Sequence, residues 1–546
     1  MNKLKQNLIN LKYSILRNIW LLGAMGFTLF MACTNLYWVK MEIVPPPWDQ
    51  AWYMETSQDL YHVLTRDGLA AFLWQIQFAL GGIKAPLLSI LAIPMYLLFG
   101  NTEFSAMMVN TAFMFVSTLY LYKLCLLLFK SARLGFLAVL IFHTLPFSYA
   151  LSRQFFVEYG LTTITIMFIF YLVKSDLFRH PRSNTMLGII LGIGLLMKIN
   201  FPMYIAGPFL LVLIRRLKMS SYRIDRQLLM VMLKISALSI AIASVWYARN
   251  MATILKFAFS AGFGSLGAAY GTSDIFAPGP IKDYYGLVIT EVLSPWYTVL
   301  FLVAFTTLII ASLFPKSRVR AQGSMAILSV WLIVPLFIIT FGTNKDLRYI
   351  TPLLSPLAIT VAMFFNELFK RNHIFLIASL TIVVYPLYHM VDISFRSNNR
   401  NMLGYFAHPP NTRYWPLNEV IDYVYKNTLT DTANLRYNLL AVEHSTINAN
   451  TFSFLASEKN YTTPFYFTSL GYREQDVSKA IKRINEMKPL FIIFQEGIPD
   501  GELSGEDNRC NAFVLDSLEK QKIDHYTRDT LFEFPDGVRL TLYKRF

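Results

Sequence analysis

The apolar part of the chain begins with WLLGAMGFTLFMACTNLYWV at residues 20–39, and KMEIVPPPWDQAWY follows directly at residues 40–53. The first stretch has the roughly 20 apolar residues that a membrane-spanning helix needs. It is too long for a cleavable signal, lacks a small-residue cleavage site and leads into further apolar segments, so we interpret it as a signal anchor. This stretch therefore predicts a membrane protein.

Composition extends this interpretation to most of the chain. The 546 residues are 55% hydrophobic and 15% charged, with a mean hydropathy of +0.42, whereas soluble domains carry about 25% charged residues. The apolar pattern predicts an α-helical polytopic membrane protein with about eleven spans. The predicted spans are residues 16–39, 104–129, 133–150, 160–177, 185–198, 201–217, 228–249, 293–314, 324–342, 350–369 and 374–391.

The net charge of +15 is a topology signal. Residues 1–392 contain 31 Lys and Arg against 15 Asp and Glu, whereas the remaining 154 residues are close to neutral. Basic residues collect in short loops on one side, which predicts a cytoplasmic amino terminus and excludes the case for nucleic acid. These residues are Lys3, Lys5, Lys12, Arg17, Lys130, Arg133, Lys174, Arg179, Arg182, Arg215, Arg216, Lys218, Arg223, Arg226, Lys316, Arg318, Arg320, Lys370 and Arg371.

We divide the chain into a membrane domain, residues 1–392, with a long first outer loop at 40–103, and a carboxy-terminal domain, residues 393–546. Within the loop, the short apolar run 85–99 is predicted to be an interfacial helix. An odd number of spans places the carboxy-terminal domain outside, in the periplasm if the membrane is a bacterial inner membrane. Strand-like runs at 427–445, 465–469, 490–495 and 539–543 alternate with helix-like runs at 475–487 and 512–521, which predicts an α/β domain.

Asp49 is the first candidate for chemistry, because the proline run and the neighbouring tryptophans hold it at the membrane boundary. An acid fixed there can act as a general base, and the alternative is a helix N-cap. Lys84 lies at the amino-terminal edge of the interfacial helix, in Gly81-Gly82-Ile83-Lys84. A helix N-terminus with an ammonium group suits a lipid phosphate, and the alternative is a snorkelling lysine.

Glu158 precedes the fourth span almost directly and is predicted to lie near the membrane plane, where acids are functional candidates. The alternative is an ion pair with Arg153. Arg249 and Arg348 also fall on the side that otherwise avoids basic residues. An anionic lipid head group would explain them, and interface anchoring is the alternative. Acids and cations on one face fit group transfer from a phosphate-linked lipid.

These segments resemble the GT-C membrane glycosyltransferases, specifically the branch of dolichyl-phosphate-mannose protein mannosyltransferases and bacterial aminoarabinose transferases of lipid A. The resemblance covers residues 10–390. It rests on the order of Asp49 with Tyr53, Lys84-Ala85-Pro86-Leu87, the Ser-Arg segment before Glu158, and three further motifs. These motifs are Gly192-Ile193-Gly194-Leu195-Leu196-Met197-Lys198, Trp246-Tyr247-Ala248-Arg249-Asn250 and Arg348-Tyr349-Ile350-Thr351-Pro352-Leu353.

The resemblance implies an inverting transfer of one sugar from a polyprenyl-phosphate donor to a glycan, lipid or protein acceptor on the extracytoplasmic side. Asp49 would be the catalytic base, with Glu158 assisting. The residues implied in substrate binding are Tyr53, Lys84, Arg153, Lys198, Arg249, Arg348 and Tyr349.

The chain departs from the family at two positions. Glu158 stands where Asp is frequent, and Ile83 stands where the aminoarabinose branch has an acid before the lysine. The second departure removes a ligand for a divalent metal, so we expect no metal. The three cysteines are widely spaced and give no zinc motif.

Two other functions are compatible with parts of this pattern. A transporter or lipid flippase would also have many spans and buried charges, but the chain shows no duplicated halves and its candidate charges collect outside. A polymerase or ligase that moves whole lipid-linked glycans shares the donor chemistry.

Overall fold

The structure is a computed structural model, and most of the chain is described. The described residues are 2–80, 83–313, 322–369, 374–395, 409–431, 436–471, 474, 476–496, 508–520, 523, 525–534 and 537–546. Some residues used in the sequence predictions lie outside these ranges. They are Gly81, Gly82, Lys316, Arg318, Arg320, Lys370 and Arg371.

The chain forms two compact units that do not follow the predicted boundary at residue 392. Unit 1 comprises Met1–Val39, Asp67–Leu91 and Met107–Pro409, and unit 2 comprises Lys40–Arg66, Ala92–Ala106 and Pro410–Phe546. Much of the first outer loop therefore belongs to the same unit as the carboxy-terminal domain.

Helices dominate the described residues before position 409. Two π-helical segments, Gln75–Ala79 and Val288–Leu293, and a 3-10 helix, Leu347–Leu353, are inserted between α-helices. The α-helices are α1 Asn2–Met41, α2 Trp48–Arg66, α3 Gly68–Trp74, α4 Leu87–Phe99, α5 Glu103–Phe129, α6 Ala132–Thr144, α7 Pro146–Leu151, α8 Val157–Lys174, α9 Pro181–Met197, α10 Phe201–Met219, α11 Arg226–Phe263, α12 Ser265–Ala269, α13 Pro278–Leu287, α14 Ser294–Leu313, α15 Gln322–Thr340, α16 Leu354–Phe369 and α17 Ile374–Phe395.

Each of the eleven predicted spans overlaps one of these helices, and the prediction of an integral, mostly helical membrane protein is confirmed. Among the described residues, seven segments are long and apolar enough to cross a membrane, so the count of eleven stays a prediction. These segments are Asn18–Met41, Glu103–Phe129, Val157–Lys174, Arg226–Phe263, Pro278–Ile310, Gly323–Thr340 and Leu347–Leu368.

Two predicted boundaries are wrong. The span at 133–150 is interrupted at Leu145, which has φ −65° and ψ 127° because the following Pro146 disfavours helical geometry in the residue before it. The span predicted to end at Arg249 continues in α11 as far as Phe263. The run predicted as an interfacial helix forms α4, with Pro94 inside it.

Glycines allow α9 to pack closely on α11 in unit 1. A methyl group at Gly188 would lie 2.9 Å from the carbonyl oxygen of Ile235, and one at Gly192 would lie 2.8 Å from Cβ of Ile242. Small residues four positions apart let two membrane helices approach at backbone distance. This contact fixes α9, and so fixes the position of Lys198 at its carboxyl end.

The carboxy-terminal part of unit 2 is a five-stranded sheet with helices, which confirms the predicted α/β domain. The strands are β1 Tyr437–Leu440, β2 Tyr466–Ser469, β3 Phe491–Glu496, β4 Tyr526–Glu533 and β5 Arg539–Arg545, and the helices are α18 Leu417–Thr430, α19 Ala449–Lys459, α20 Val477–Met487 and α21 Arg509–Glu519. The sheet order is β2-β1-β3-β5-β4, with β1 parallel to β2 and β3, and β5 antiparallel to β3 and β4.

Two details of this domain differ from the prediction. The range 427–445 contains strand β1 as predicted, but residues 427–430 at its start belong to α18, where Val420, Val424 and Thr428 are buried at helical spacing. Strand β4 is absent from the prediction because it lies at the edge of the sheet, where an apolar alternation is not required.

Unit 2 also contains α2 of the first outer loop, which packs against α19. Thr451 Oγ1 donates to the carbonyl oxygen of Pro46 at 3.3 Å, and Ser457 Oγ donates to Asp59 Oδ1 at 2.9 Å. These contacts explain why the loop and the α/β domain form one unit although about 400 residues separate them in sequence.

Candidate functional site

A cluster of charged and aromatic side chains in unit 1 brings together three segments that are distant in sequence. The segments are the start of α8, the connection between α9 and α10, and residues 346–349 before and within the 3-10 helix. Of the residues predicted for the site, Glu158, Lys198, Arg348 and Tyr349 meet here.

Glu158 and Lys198 form a salt bridge at the centre of this cluster. Lys198 Nζ donates to Glu158 Oε1 at 2.6 Å, and the glutamate is only 1% exposed. Glu158 lies in the first turn of α8, where the helix dipole favours an acid. The pair therefore places a carboxylate and an ammonium in a region with little water.

The turn between α9 and α10 positions Lys198. Lys198 ends α9 in an extended conformation, and its N–H donates to the carbonyl oxygen of Gly194 at 3.0 Å. A methyl group at Gly194 would lie 2.3 Å from the ring of Phe201, so the glycine allows α10 to begin tightly against the end of α9. The Lys198 ammonium lies 4.9 Å from the ring centroid of Tyr349.

Arg348 and Asp346 form the second ion pair. The guanidinium Nε lies 2.9 Å from Asp346 Oδ2, and Nη2 lies 2.6 Å from the same oxygen. Asp346 also caps the 3-10 helix by accepting from the backbone N–H of Arg348 at 2.9 Å. The ring of Phe156 lies 4.7 Å from the guanidinium carbon. Arg348 is thus held on two sides.

The four charges of these pairs balance. Burial alone would raise the pKa of Asp346, but the Arg348 guanidinium, and then the Lys198 ammonium, hold this pKa below its ordinary value. Asp346 is therefore ionised at neutral pH, and each of the two acids contacts one cation. Tyr204 closes the cluster by donating its hydroxyl to the carbonyl oxygen of Tyr349 at 3.1 Å.

Arg153 has a different environment. It is 2% exposed, its guanidinium carbon lies 4.6 Å from the ring centroids of both Trp38 and Tyr149, and its Nη1 donates to Ser394 Oγ at 2.8 Å. These contacts tie α7, α1 and α17 together. The salt bridge of Glu158 is formed with Lys198, in place of the alternative partner Arg153.

Arg249 and Lys84 also belong to unit 1, in two other segments of the chain. Arg249 is exposed within α11, and its guanidinium carbon lies 4.9 Å from the ring centroid of Phe78 in the first π-helical segment. The next residue, Asn250, donates to the carbonyl oxygen of Gln77 at 3.1 Å. Lys84 is half-buried in the bend that precedes α4.

Asp49 and Tyr53 belong to unit 2. Asp49 is half-buried in the first turn of α2, and Tyr53 is 8% exposed on the same helix. The helix begins at Trp48, so Asp49 is a first-turn residue and not the N-cap of the alternative interpretation. An acid at this position is still stabilised by the helix dipole.

Within the part of the chain that the structure describes, no group of three His, Cys, Asp or Glu side chains is placed to hold a metal ion. Position 83, next to Lys84, is isoleucine, which offers no ligand atom.

Sequence analysis assigns no role to two members of the cluster. Asp346 stands two positions before Arg348, and this closeness was the available signal. Tyr204 carried no signal, because tyrosines are common in apolar segments near membrane interfaces.

Comparisons with known proteins agree with this architecture. Residues 84–257, less than half of the chain, match the family model of dolichyl-phosphate-mannose-protein mannosyltransferase. No protein among the curated sequences matches the chain.

Two solved structures have a similar fold at low sequence identity. The first is ArnT from Cupriavidus metallidurans bound to undecaprenyl phosphate, with 13% identity, a TM-score of 0.60, and coverage of 96% of this chain and 98% of that one. The second is the oligosaccharyltransferase AglB from Archaeoglobus fulgidus in complex with an inhibitory peptide and a dolichol-phosphate, with 13% identity, a TM-score of 0.54, and coverage of 94% and 74%. These matches confirm the predicted resemblance: the chain has the GT-C fold of membrane glycosyltransferases.

Proposed function

We propose that the protein is a glycosyltransferase that moves a sugar from a polyprenyl-phosphate-linked donor to an acceptor hydroxyl on the extracytoplasmic side of the membrane. The observation that carries this proposal is the buried cluster of Glu158, Lys198, Asp346 and Arg348 in a chain with the GT-C fold. Similar proteins of this fold have been solved with undecaprenyl phosphate or a dolichol-phosphate bound.

Arg348 is the best-placed group of this cluster to hold the donor phosphate. Its planar guanidinium already binds a carboxylate through two nitrogens, and the same fork fits two oxygens of a phosphate. The Lys198 ammonium adds a second positive charge. Cations held before the substrate arrives stabilise the charge that develops on a leaving phosphate. Lys84 and Arg249 remain candidates for further contacts to the lipid phosphate on sequence grounds.

Asp49 is the proposed base. In the reaction, the acceptor hydroxyl gives its proton to the Asp49 carboxylate, and the acceptor oxygen attacks C1 of the sugar. The bond between C1 and the phosphate oxygen breaks, and its electron pair leaves with the polyprenyl phosphate, so the configuration at C1 inverts. The assignment of Asp49 rests on its sequence position.

Glu158 has a supporting role in this proposal. Its Oε1 already accepts a hydrogen bond from Lys198 Nζ at 2.6 Å. It holds Lys198 in place and binds substrate.

The proposed orientation places the amino terminus in the cytoplasm and the α/β domain outside, as the basic loops favour. Single-cysteine labelling in intact cells tests it. A cysteine at Ser273, before α13, should react with an impermeant maleimide, and one at Ser220, after α10, should react only after permeabilisation. The reverse pattern would contradict the orientation.

Turnover by purified protein in liposomes tests the proposed function. The donors are undecaprenyl phosphates that carry different labelled hexoses and pentoses. Lipid and glycan extracts of cells provide the acceptors. Comparison of extracts from wild-type and deletion cells by mass spectrometry identifies the molecules that lack the sugar. We expect Asp49→Asn to abolish transfer while the protein still folds. The control is Asp274→Asn, since this exposed acid caps its own turn and asparagine can keep that contact.

Wild-type protein that transfers no sugar but moves the glycosylated lipid across the bilayer would instead support a transporter. Transfer of whole oligosaccharides, with no single-sugar transfer, would support the ligase alternative. Full activity of Asp49→Asn would remove Asp49 from the mechanism and leave the transferase assignment in place.

A further inference from the structure

Two buried polar atoms in the Glu158 cluster have no hydrogen-bond partner among the described residues. One is Oε2 of Glu158, the oxygen that does not contact Lys198, and the other is the hydroxyl oxygen of Tyr284. Glu158 is 1% exposed and Tyr284 is 3% exposed, so bulk water does not satisfy either atom. An unsatisfied buried polar atom costs free energy and calls for a specific explanation.

Both residues belong to the same electrostatic neighbourhood. Tyr284 interacts with Asp346 and Tyr349, and Tyr349 in turn interacts with Lys198 and Glu158. Tyr204, on α10, interacts with both Glu158 and Tyr284. The geometry agrees: the Lys345 ammonium lies 5.9 Å from the ring centroid of Tyr284, and Lys345 directly precedes Asp346, which pairs with Arg348. The two unpartnered atoms, one on α8 and one on α13, therefore belong to residues of the same cluster.

The Tyr284 side chain is fixed although its hydroxyl is not bonded. The ring packs against Tyr285 in an edge-on arrangement, with centroids 5.5 Å apart, and the Lys345 ammonium lies 5.9 Å from the ring centroid. That ammonium donates to the carbonyl oxygens of Ile339, Thr340 and Gly342 at the end of α15. The hydroxyl is thus held in one place before any ligand arrives.

The chemistry of these two atoms selects the ligand class. With Oε1 bound to Lys198, Oε2 of the ionised glutamate can only accept a hydrogen bond, so its partner must be a donor. A phosphate oxygen is also an acceptor and carries negative charge, and an acyl chain has no polar atom. A sugar hydroxyl donates to the carboxylate, and a second hydroxyl on the same ring can pair with a phenol.

We propose that Glu158 Oε2 and the Tyr284 hydroxyl form a subsite that recognises hydroxyl groups of the donor sugar. This inference rests on the proposed function and deepens it, because it assigns sugar selection to Glu158 and Tyr284 and phosphate binding to Arg348. Tyr284 becomes a specificity-determining residue. A site with buried hydrogen-bonding groups rejects ligands that lack the matching hydroxyl, since those groups would then stay unpaired.

A pair of neighbouring tyrosine variants provides the test. Tyr284→Phe removes the unpartnered hydroxyl, whereas Tyr285→Phe removes a hydroxyl that lies 2.5 Å from Thr340 Oγ1. The probes are undecaprenyl phosphate itself and the glycosylated undecaprenyl phosphate that the wild type turns over best. Binding is measured in nanodiscs, and the unfolding midpoint Tm is measured for each variant.

We expect Tyr284→Phe to weaken binding of the glycosylated lipid about threefold to tenfold, the loss of one hydrogen bond, and to leave binding of undecaprenyl phosphate unchanged. Its Tm should equal or exceed that of the wild type, because no internal bond is lost. Tyr285→Phe should lower Tm. It should leave unchanged the ratio of the affinity for the glycosylated lipid to the affinity for undecaprenyl phosphate. Glu158→Asp withdraws both carboxylate oxygens, so it also disturbs Lys198; it should weaken binding of both lipids, and that of the glycosylated lipid more.

Two results for Tyr284→Phe would overturn the sugar subsite: equally weaker binding of both lipids, or unchanged binding of both. Either result would leave the proposed function in place, provided that the wild type turns over its donor. A wild type that binds and turns over none of the glycosylated lipids would overturn the proposed function, and the subsite with it. A lower Tm for Tyr284→Phe, with an unchanged ratio, would show that its hydroxyl has an internal partner and would contradict the inference.

Discussion

The Lys198 ammonium donates to Glu158 Oε1 at 2.6 Å across 40 residues of sequence, and it joins the turn after α9 to the first turn of α8. The glutamate is 1% exposed, and the lysine side chain is 24% exposed. Removal of only one partner of a buried ion pair strongly destabilises a protein, because the other charge stays buried without a counter-charge.

Lys198→Met should therefore destabilise the protein by about 3 kcal/mol, the lower end of the range for breaking buried pairs. The double variant Lys198→Met with Glu158→Gln should regain most of this free energy, since no charge remains buried. Unfolding of the detergent-solubilised protein, followed by intrinsic fluorescence, measures both values. Equal stability of the single and double variants would contradict a buried pair.

Asp346→Asn should bind undecaprenyl phosphate about tenfold more tightly than the wild type, because the carboxylate no longer competes with phosphate for Arg348. Turnover should fall, since Arg348 loses the contacts that position it. Arg348→Lys keeps the charge without the bidentate geometry and should weaken lipid binding. Isothermal titration with undecaprenyl phosphate compares the three proteins, and weaker binding by Asp346→Asn would refute the competition.

Gly192→Ala should destabilise unit 1 by about 1–3 kcal/mol, because the added methyl group would lie 2.8 Å from Cβ of Ile242 and would separate α9 from α11. Gly262→Ala is the matched control, since a methyl group there has no neighbour within 4 Å. That control should be neutral or stabilise α11 by up to about 1 kcal/mol. Thermal unfolding of both variants measures the difference, and indistinguishable midpoints would argue against close packing.

Thr118 lies in a buried polar chain between membrane helices. Its Oγ1 lies 2.7 Å from Thr28 Oγ1 and 2.7 Å from His143 Nε2. Thr118→Val removes both contacts at constant shape and should cost about 1–2 kcal/mol. Thr165→Val, whose hydroxyl bonds only the carbonyl oxygen of Leu161 in its own helix, is the control and should cost less. Unfolding in mixed micelles measures both, and an equal loss would show that the interhelical bonds add nothing.

His62 makes the stability of unit 2 depend on pH. Burial lowers the pKa of His62, and a 3.4 Å contact between its Nε2 and the carbonyl oxygen of Ser457 opposes this effect only in part. The folded protein binds a proton at His62 less readily than the unfolded chain does. The contribution of neutral His62 to stability is therefore fully present above about pH 6.5, and it is lost as the pH decreases through the pKa of His62 in the folded protein.

His62→Gln should remove this part of the pH dependence. Tm measured from pH 5 to pH 8 tests the prediction, with His180→Gln, in unit 1, as the control. A Tm profile of His62→Gln that still falls like that of the wild type would assign the pH dependence to another group.

Sequence reasoning predicted the membrane class, the helical part and the α/β domain because these depend on local composition. A continuous apolar run predicts a span such as residues 104–129, and a short run of β-branched and aromatic residues predicts β3. Boundaries were less predictable. The break at Leu145 depends on Pro146, and α11 continues past Arg249 because polar residues near a helix end do not by themselves stop a helix.

The candidate site was predictable only in part. Glu158 and Arg348 were recognisable as charged residues at the ends of apolar segments, and Lys198 and Tyr349 were implied by the family resemblance. Their partners were not, since the sequence offered Arg153 as the partner of Glu158, and only the approach of α8 to the end of α9 selects Lys198. The role of Asp346 follows from the fork geometry of Arg348, which no spacing rule specifies.

The sequence by itself determined which segments favour lipid and which favour water, because the free energy of transferring about 20 apolar residues, or a cluster of basic residues, from water to lipid depends mainly on their composition. The tertiary structure decided which ions pair, which tyrosine hydroxyl is left without a partner, and that α2 packs with α19 across some 400 residues. Such relationships depend on distances of a few ångströms between residues far apart in the chain, and only packing sets those distances.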